Sequence, residues 1–192
     1  MSQILNPNSL DAYDYELPPE LIANFPTFPK EDARLLVYER ASEKISHLKF
    51  GDLPEILPPC DIIFNDTKVV KARIFGKKQS GGETELLLNS PLADGKFSVY
   101  IKGKVRAGSI LNFDQNLTAE VCELFDDGSR TVKFSQNGRL LDTAALYGIL
   151  SHIGHVPLPP YIKRSDTKDD ESWYQSVFAK NEGAVAAPTA SL

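Results

Sequence analysis

Residues 69–102 read VVKARIFGKKQSGGETELLLNSPLADGKFSVYIK, which is three strand-like stretches separated by two turns. The turns are marked by Ser80-Gly81-Gly82 and Asp94-Gly95, and the stretches are rich in β-branched and aromatic residues. The same pattern continues to about residue 138, with predicted strands at 109–113, 118–125 and 130–135. Short strands with a turn about every 8–15 residues are typical of a small antiparallel barrel or sandwich.

The residues on either side of this region have a different pattern. Residues 34–40 and 45–50 predict a β-hairpin, and residues 50–57 predict a short helix that ends at Pro58. Farther along, apolar residues at helical spacing predict helices over 140–150 and 166–180.

We therefore expect an α+β chain with two domains. A mixed α/β core module would comprise residues 1–67 and 139–192, and an antiparallel β-barrel-like domain would be inserted at residues 68–138.

A polar triplet follows a short apolar run in the first part of the predicted core module. Residues 60–64 predict a buried strand, and Asn65, Asp66 and Thr67 come directly after it. Side chains at the end of a buried strand are well placed to contact a ligand. Asn and Asp also bond their own backbone in turns, and the residues alone favour this turn interpretation.

A Pro-rich segment near the end of the chain also suggests a binding role. Prolines at 157, 159 and 160 favour a rigid, extended path that leads to Tyr161, Lys163 and Arg164. A tyrosine ring can stack on a ligand, and the two cations suit an anionic group. From Gly183 onward the residues are small and uncharged, so the backbone can approach a ligand closely. The alternative is a Pro-rich loop that leads into a buried strand of small residues.

The bulk properties exclude several classes of protein. A net charge of −5 over 192 residues argues against extensive nucleic-acid coating, although a local basic patch remains compatible with it. Two cysteines without a Cys-x-x-Cys pair predict reduced thiols in the core, and the histidines lack the spacing of metal ligands. With no signal peptide and no apolar run long enough for a membrane helix, we expect a cytoplasmic protein without a metal.

Several motifs in order resemble the S-adenosylmethionine:tRNA ribosyltransferase-isomerase family of the queuosine pathway. They comprise residues 14–18, 33–36, 65–73, 157–164, 174–179 and 183–190, so that the resemblance extends over nearly the whole chain. In that family the closing Ala-Pro-Thr-Ala run continues into a second half of similar size, and Ser191 stands where Gly is usual. We therefore expect this chain to correspond to the N-terminal half of such an enzyme, with an incomplete core module.

The resemblance implies both a reaction and its partners. The family transfers the ribosyl part of S-adenosylmethionine, the co-substrate, to 7-aminomethyl-7-deazaguanine in the anticodon loop of tRNA. The ribose isomerises to give epoxyqueuosine-tRNA, and adenine and methionine leave. The resemblance implies a cytoplasmic monomer that requires no metal. The alternatives are a non-catalytic RNA-binding module and an inactive fragment of the enzyme.

Residues in the family's motif positions supply the candidates for each role. Proton transfer needs a carboxylate or a phenol in a site that excludes water. Asp66 and Glu182 are expected where water is scarce, which would raise their pKa values. The predicted catalytic residues are Asp66, Glu182 and Tyr174. The predicted substrate-binding residues are Asn65, Thr67, Arg73, Tyr161, Lys163, Arg164 and Thr189.

Positive charge is concentrated in two short segments. Five cations lie in residues 68–78 and three more in residues 102–106, and phosphate contacts on RNA use such clusters. The predicted tRNA-binding residues are Lys68, Lys71, Lys102 and Lys104. The alternative is that these are ordinary solvent-facing lysines of the inserted sheet.

Overall fold

The computed structural model describes residue 6 and residues 8–188. Contacts divide the chain into two compact units. The N-terminal unit comprises Met1–Pro58 and Pro160–Arg164, and the barrel unit comprises Pro59–Pro159 and Ser165–Leu192. The predicted domain limits at 67/68 and 138/139 differ from this division and stay a prediction.

The N-terminal unit contains the predicted hairpin. Strands β1 (Arg34–Glu39) and β2 (Lys44–Lys49) pair antiparallel, and the one-turn helix α1 (Leu53–Ile56) follows. Lys49 Nζ lies 2.6 Å from Asp32 Oδ1, and this hydrogen-bonded ion pair raises the pKa of Lys49. The unit also has short 3-10 helices at Leu10–Tyr13, Pro19–Leu21, Lys30–Asp32 and Phe50–Asp52.

Six antiparallel strands form a closed barrel in the second unit. They are β4 (Arg73–Lys78), β5 (Glu83–Pro91), β6 (Lys96–Lys102), β7 (Ile110–Asn112), β8 (Leu117–Leu124) and β9 (Ser129–Gln136). Their order is β9-β6-β5-β4-β7-β8, and β8 pairs back onto β9 to close the ring. A two-residue strand, β10 (Arg139–Leu140), extends β9 as a hairpin. The predicted α+β class with an antiparallel β-barrel-like domain is confirmed.

The barrel interior is filled by alternate residues of its strands. In β8, Leu117, Ala119 and Val121 are fully buried, whereas the residues between them are not. The rings of Phe97 and Phe134 meet edge to face inside, with centroids 5.4 Å apart. Burying a large apolar side chain contributes about 1.5–3 kcal/mol, so this interior is the main stabilising feature of the barrel unit.

Helix α2 (Thr143–Ile153) packs on the same core. The carboxylate of Asp142 caps its first turn by accepting from the backbone N of Ala145 at 2.8 Å. Leu146 and Leu150, one helical turn apart, are buried together with the barrel side chains. The helix begins later than the predicted residue 140, because Leu140 pairs in β10 instead.

The barrel unit also contains a small parallel sheet of two strands. β3 (Thr67–Val69) pairs with β11 (Asn181–Ala184). The side chain of Gln175 bonds to both backbone groups of Val69, accepting from its N at 2.9 Å and donating to its O at 2.8 Å. Gln175 thus supplies hydrogen bonds that a neighbouring strand would otherwise make.

The predicted helix over 166–180 is wrong, because only one turn, α3 (Asp170–Trp173), is helical. The Asp170 carboxylate accepts from the N and Oγ1 of Thr167 at the start of this turn. Beyond the turn, the Gln175 side chain bonds to β3 and Ser176 Oγ accepts from Phe178 N. Local side-chain bonds and the long-range bonds from Gln175 therefore replace the helical pattern.

The predicted buried strand over residues 60–64 is also wrong. These residues form no strand in the described chain, and Ile63 is 96% exposed. Phe64 stacks on Phe178, with ring centroids 4.0 Å apart, but remains 53% exposed. Cys60 is exposed as well, so the expectation of a core thiol fails at this position. No helix in the described part of the chain is long and apolar enough to cross a membrane.

Gly148 lies within α2 and Gly154 directly follows its last residue, and together they give a matched test of packing. A Cβ on Gly154 would meet Lys71 O and would lie 2.6 Å from Leu150 O, whereas one on Gly148 would meet nothing within 4 Å. We expect Gly154→Ala to destabilise the protein by about 1–3 kcal/mol, as overpacking does. Gly148→Ala should stabilise it by about 0.5–1 kcal/mol, because alanine favours the helix. Urea denaturation measures both, and equal midpoints for the two variants would contradict the packing described.

The bonds from Gln175 to β3 make a second test. Gln175→Leu leaves the buried N and O of Val69 without these partners, so we expect a loss of about 1–3 kcal/mol in the free energy of unfolding. Gln136→Leu is the control, because Gln136 makes one exposed hydrogen bond, to Gln115 O. Its effect should stay within about 0.5 kcal/mol. A loss of the same size in both variants would show that the Val69 bonds are unimportant.

Candidate functional site

The parallel pair β3–β11 brings several predicted site residues together. Asp66 directly precedes β3, and its Oδ2 accepts from Asn181 Nδ2 at 2.8 Å. Its backbone O accepts from the N atoms of Lys180 and Asn181, at 2.7 and 3.1 Å. In the next position of the register, Lys68 lies opposite Glu182, and their charged groups are 3.6 Å apart. Asp66, Thr67, Lys68 and Glu182 therefore lie at one place.

This place is open to water in the described chain. Asp66 is exposed, and the side chain of Glu182 is 49% exposed, so the expectation that water is scarce around them is wrong here. The reason is that the preceding residues, 60–64, are exposed rather than buried in a sheet. Asn65 Oδ1 accepts from Thr67 N at 2.8 Å, which confirms the turn interpretation of the triplet. The catalytic roles of the two carboxylates stay a prediction.

Two tyrosines lie in less exposed positions of the same unit. Tyr174, at the end of α3, is only 9% exposed. Tyr147 is on α2, where burial raises the pKa of its hydroxyl and the negative charge of Glu182 raises it further. The Tyr147 hydroxyl is therefore protonated and can donate a hydrogen bond, and it lies near enough to Glu182 to feel its charge. Tyr147 was not among the predicted site residues, because in the sequence it fits the apolar pattern of the helix.

Most of the predicted tRNA-binding and substrate-binding cations of the barrel unit are paired with acids. Lys71 lies 3.0 Å from Glu171, and Arg73 lies 3.2 Å from Glu85. Lys102 shares Glu85 at 3.8 Å, although its side chain is 81% exposed. The pair of Lys102 is an exposed one, and exposed pairs are weak, at about 0–1 kcal/mol, so that a stronger anion can replace the carboxylate. The side chains of Arg73 and Glu85 are only 26% and 27% exposed. Lys104 is exposed and differs from these paired cations, since it has no acidic partner among the described residues.

The predicted binding residues of the Pro-rich segment belong to the N-terminal unit. Tyr161, Lys163 and Arg164 group with the N-terminal unit, where Tyr161 is 52% exposed. Arg164 Nε donates to Asn24 O at 3.0 Å, and its guanidinium lies 4.6 Å from the centre of the Phe25 ring. Arg164 thus holds its own segment to residues 24–25. The predicted ligand Thr189 lies outside the described residues.

A histidine–carboxylate pair was missed by the sequence analysis. His155 Nδ1 lies 3.0 Å from Asp166 Oδ1, and the other oxygen of Asp166 accepts from Val156 N at 2.9 Å. Because an ionised carboxylate can only accept, Nδ1 carries a proton and Nε2 is the nitrogen left for other partners. The His155 side chain is 45% exposed and meets the Phe75 ring edge to face. An imidazole oriented by a carboxylate in this way can pass a proton to or from a ligand.

The histidines were considered in the sequence only as metal ligands, and the separation of eleven residues between His155 and Asp166 gave no motif. Among residues 6 and 8–188, no group of three or more His, Cys, Asp or Glu side chains is placed to hold a metal ion.

Comparison with known proteins gives consistent relatives. The family model described as "queuosine biosynthesis protein" matches residues 10–192. An S-adenosylmethionine:tRNA ribosyltransferase-isomerase of Campylobacter fetus is 66% identical over 96% of this chain and 54% of its own length. The protein of the same name from Campylobacter concisus is 62% identical over 96% of this chain and 55% of its own length.

A solved structure is also similar. The crystal structure of S-adenosylmethionine tRNA ribosyltransferase from Thermotoga maritima has 31% sequence identity, covering 78% of this chain and 51% of that one, with a TM-score of 0.35. The chain spans about half the length of the curated relatives it matches. Since the family model covers nearly all of its residues, the chain belongs to the queuosine biosynthesis protein family.

Proposed function

We propose that this chain provides part of an S-adenosylmethionine:tRNA ribosyltransferase-isomerase. The reaction transfers the ribosyl group of S-adenosylmethionine to 7-aminomethyl-7-deazaguanine in the anticodon loop of tRNA. It yields epoxyqueuosine-tRNA and releases adenine and methionine. We propose that the enzyme is a monomer and acts in the cytoplasm. The observation that carries the proposal is the 66% identity to a relative of that name over 96% of this chain.

The reaction requires a base and an acid. The base removes the acidic hydrogen next to the sulfonium, and the acid or a hydrogen-bond donor assists the departure of adenine. We assign these roles to Asp66 and Glu182 on the parallel pair, with Tyr174 as a further donor. The His155–Asp166 pair is the competing candidate, because its imidazole is already oriented by a carboxylate.

The remaining predicted residues are assigned to binding. Asn65, Thr67 and Arg73 would position the nucleoside. Tyr161, Lys163, Arg164 and Thr189 would hold the ring and carboxylate of S-adenosylmethionine, since arginine can bind a carboxylate through two nitrogens. Lys68, Lys71, Lys102 and Lys104 would contact tRNA phosphates. The weakness of the exposed ion pairs of Lys68 and Lys102 supports this assignment, because phosphates can replace the carboxylates.

The second candidate function is an RNA-binding module without catalysis. The observation in its favour is the exposure of the catalytic carboxylates, which lack the water-excluding cavity that the reaction needs. Such a module would retain tRNA and release no adenine.

Adenine release separates the two candidates. The chain alone and a chimaera that joins it to the part of the Campylobacter fetus relative it does not cover are each incubated with S-adenosylmethionine and precursor tRNA. We expect adenine from the chimaera and little from the chain alone, because its carboxylates are exposed. Retention of tRNA without adenine from either protein would favour the binding module and refute the enzyme.

The acid–base assignment is tested in the active chimaera. Asp66→Asn and Glu182→Gln keep the side-chain shape and remove the titrating group, so we expect rates lower by about 10²–10⁴ with little change in tRNA affinity. Single-turnover adenine release across pH is the measurement. Asp114→Asn, an exposed barrel carboxylate outside the site, should leave the rate unchanged.

His155→Gln in the same chimaera decides between the two candidate groups. Near-normal rates in the Asp66 and Glu182 variants, together with a loss in His155→Gln, would transfer the proton role to the His155–Asp166 pair. The pH profile gives the independent readout, since loss of a titrating group removes one limb of the profile.

A further inference from the structure

A cavity of about 590 Å³ lies in the barrel unit, and none of its lining residues belongs to β3 or β11. It is formed by the end of β4 with the turn that follows, and by the loop from β6 to β7. Three cationic residues are among those that line it, namely Lys78, Lys104 and Arg106. Ser80 and Ser109 line it as well, and no lining residue is acidic.

The cations of this cavity form no ion pair within the described part of the chain. Lys68, Lys71, Arg73 and Lys102 each pair with a glutamate at 3.0–3.8 Å. By contrast, the lining cations form no ion pair with any described acidic residue. The protein has a net charge of −5, so an uncompensated cluster of positive charge is a local feature rather than a consequence of composition. Such a cluster attracts anions.

Hydrogen bonds fix the loop that carries two of these cations. Arg106 N donates to Ser109 Oγ at 3.1 Å, and Ser109 N donates back to Arg106 O at 3.0 Å. Gly108, with φ of +80°, donates to Val121 O at 2.8 Å and so attaches the loop to β8. Lys78 Nζ donates to Lys104 O at 2.8 Å and so links two of the lining residues. A site held in place in this way loses less entropy when it binds a ligand.

We propose that this cavity binds phosphate groups of an RNA backbone. Lys and Arg are the usual phosphate partners in RNA-binding proteins, and serine hydroxyls commonly add hydrogen bonds to phosphate oxygens. The volume is in the range of sites for whole small molecules, so a single inorganic phosphate would leave most of it to water. Successive phosphates and sugars fill it better. The inference rests on the proposed function, which supplies RNA as the polyanion.

The test measures RNA binding by this chain as a function of salt. The substitutions Lys78→Gln, Lys104→Gln and Arg106→Gln are combined, and affinity for an unmodified tRNA transcript and for an unrelated RNA of equal length is measured. Each lost phosphate contact should lower the slope of log affinity against log salt by about 0.7–0.9, so we expect a total decrease of about 2–3 for both RNAs.

A matched control carries the same change of charge outside the cavity. Arg40→Gln, Lys44→Gln and Lys168→Gln replace one arginine and two lysines at exposed positions, and they should leave the slope unchanged. The Lys104→Gln/Arg106→Gln double variant guards against misfolding, since it keeps the hydrogen bond from Lys78 Nζ to the backbone O of residue 104. Its slope should decrease by about 1.5.

Three results would overturn the proposal. One is equal slopes for the cavity and control variants. Another is no RNA binding by the unmodified chain. The third is binding of inorganic phosphate or adenosine monophosphate that the triple variant abolishes while RNA affinity stays the same, which would make the cavity a site for a small free phosphate.

Adenine release by the chimaera distinguishes failure of this inference from failure of the proposed function. Release of adenine with an unchanged RNA slope in the cavity variants refutes the cavity assignment alone. A decreased slope without adenine release refutes the enzyme function and retains the RNA site.

Discussion

The pairing of β8 with β9 closes the barrel, and the arrangement of the candidate site depends on it. Closure buries the alternate residues of all six strands and gives α2 an apolar surface for Leu146 and Leu150. The end of α2 then places His155 beside β4, where His155 and Arg73 exchange backbone hydrogen bonds at 2.8 and 3.3 Å. Gly154 allows this approach, since a Cβ there would meet the backbone of Lys71.

The backbone contact between Arg73 and His155 lies close in the chain to both candidate proton-transfer groups. Strand β3, which precedes Arg73, follows Asp66 and pairs with β11, where Glu182 lies. Val156, which follows His155, donates to Asp166, and Asp166 orients the imidazole of His155. The parallel pair is unusually small for its type, because parallel strands normally lie in larger sheets covered on both faces. Its carboxylates are exposed because the small sheet is not covered by the preceding residues, 60–64.

The distribution of charge separates two kinds of basic residue that look alike in the sequence. Lysines and arginines of residues 68–73 form ion pairs with glutamates from β5, α3 and β11. Those of the cavity are left without acidic partners among the described residues, and two of the three are carried by a hydrogen-bonded loop. Spacing along the chain does not distinguish these groups, because the glutamates come from distant positions.

The sequence by itself determined the elements that depend on local pattern and turn chemistry. The β1–β2 hairpin, the barrel strands and α2 follow from alternation, glycine turns and helical spacing, which act over a few residues. Tertiary structure decided the rest. Residues 166–180 look helical, yet Gln175 bonds to Val69 over a separation of 106 residues. Residues 60–64 look buried, yet no described element covers them. Likewise, the His155–Asp166 pair forms between two separate segments. The cavity is also lined by two segments that are distant in the sequence. Local periodicity reports which face of an element is apolar, but burial and ion pairing depend on which distant residues meet that face.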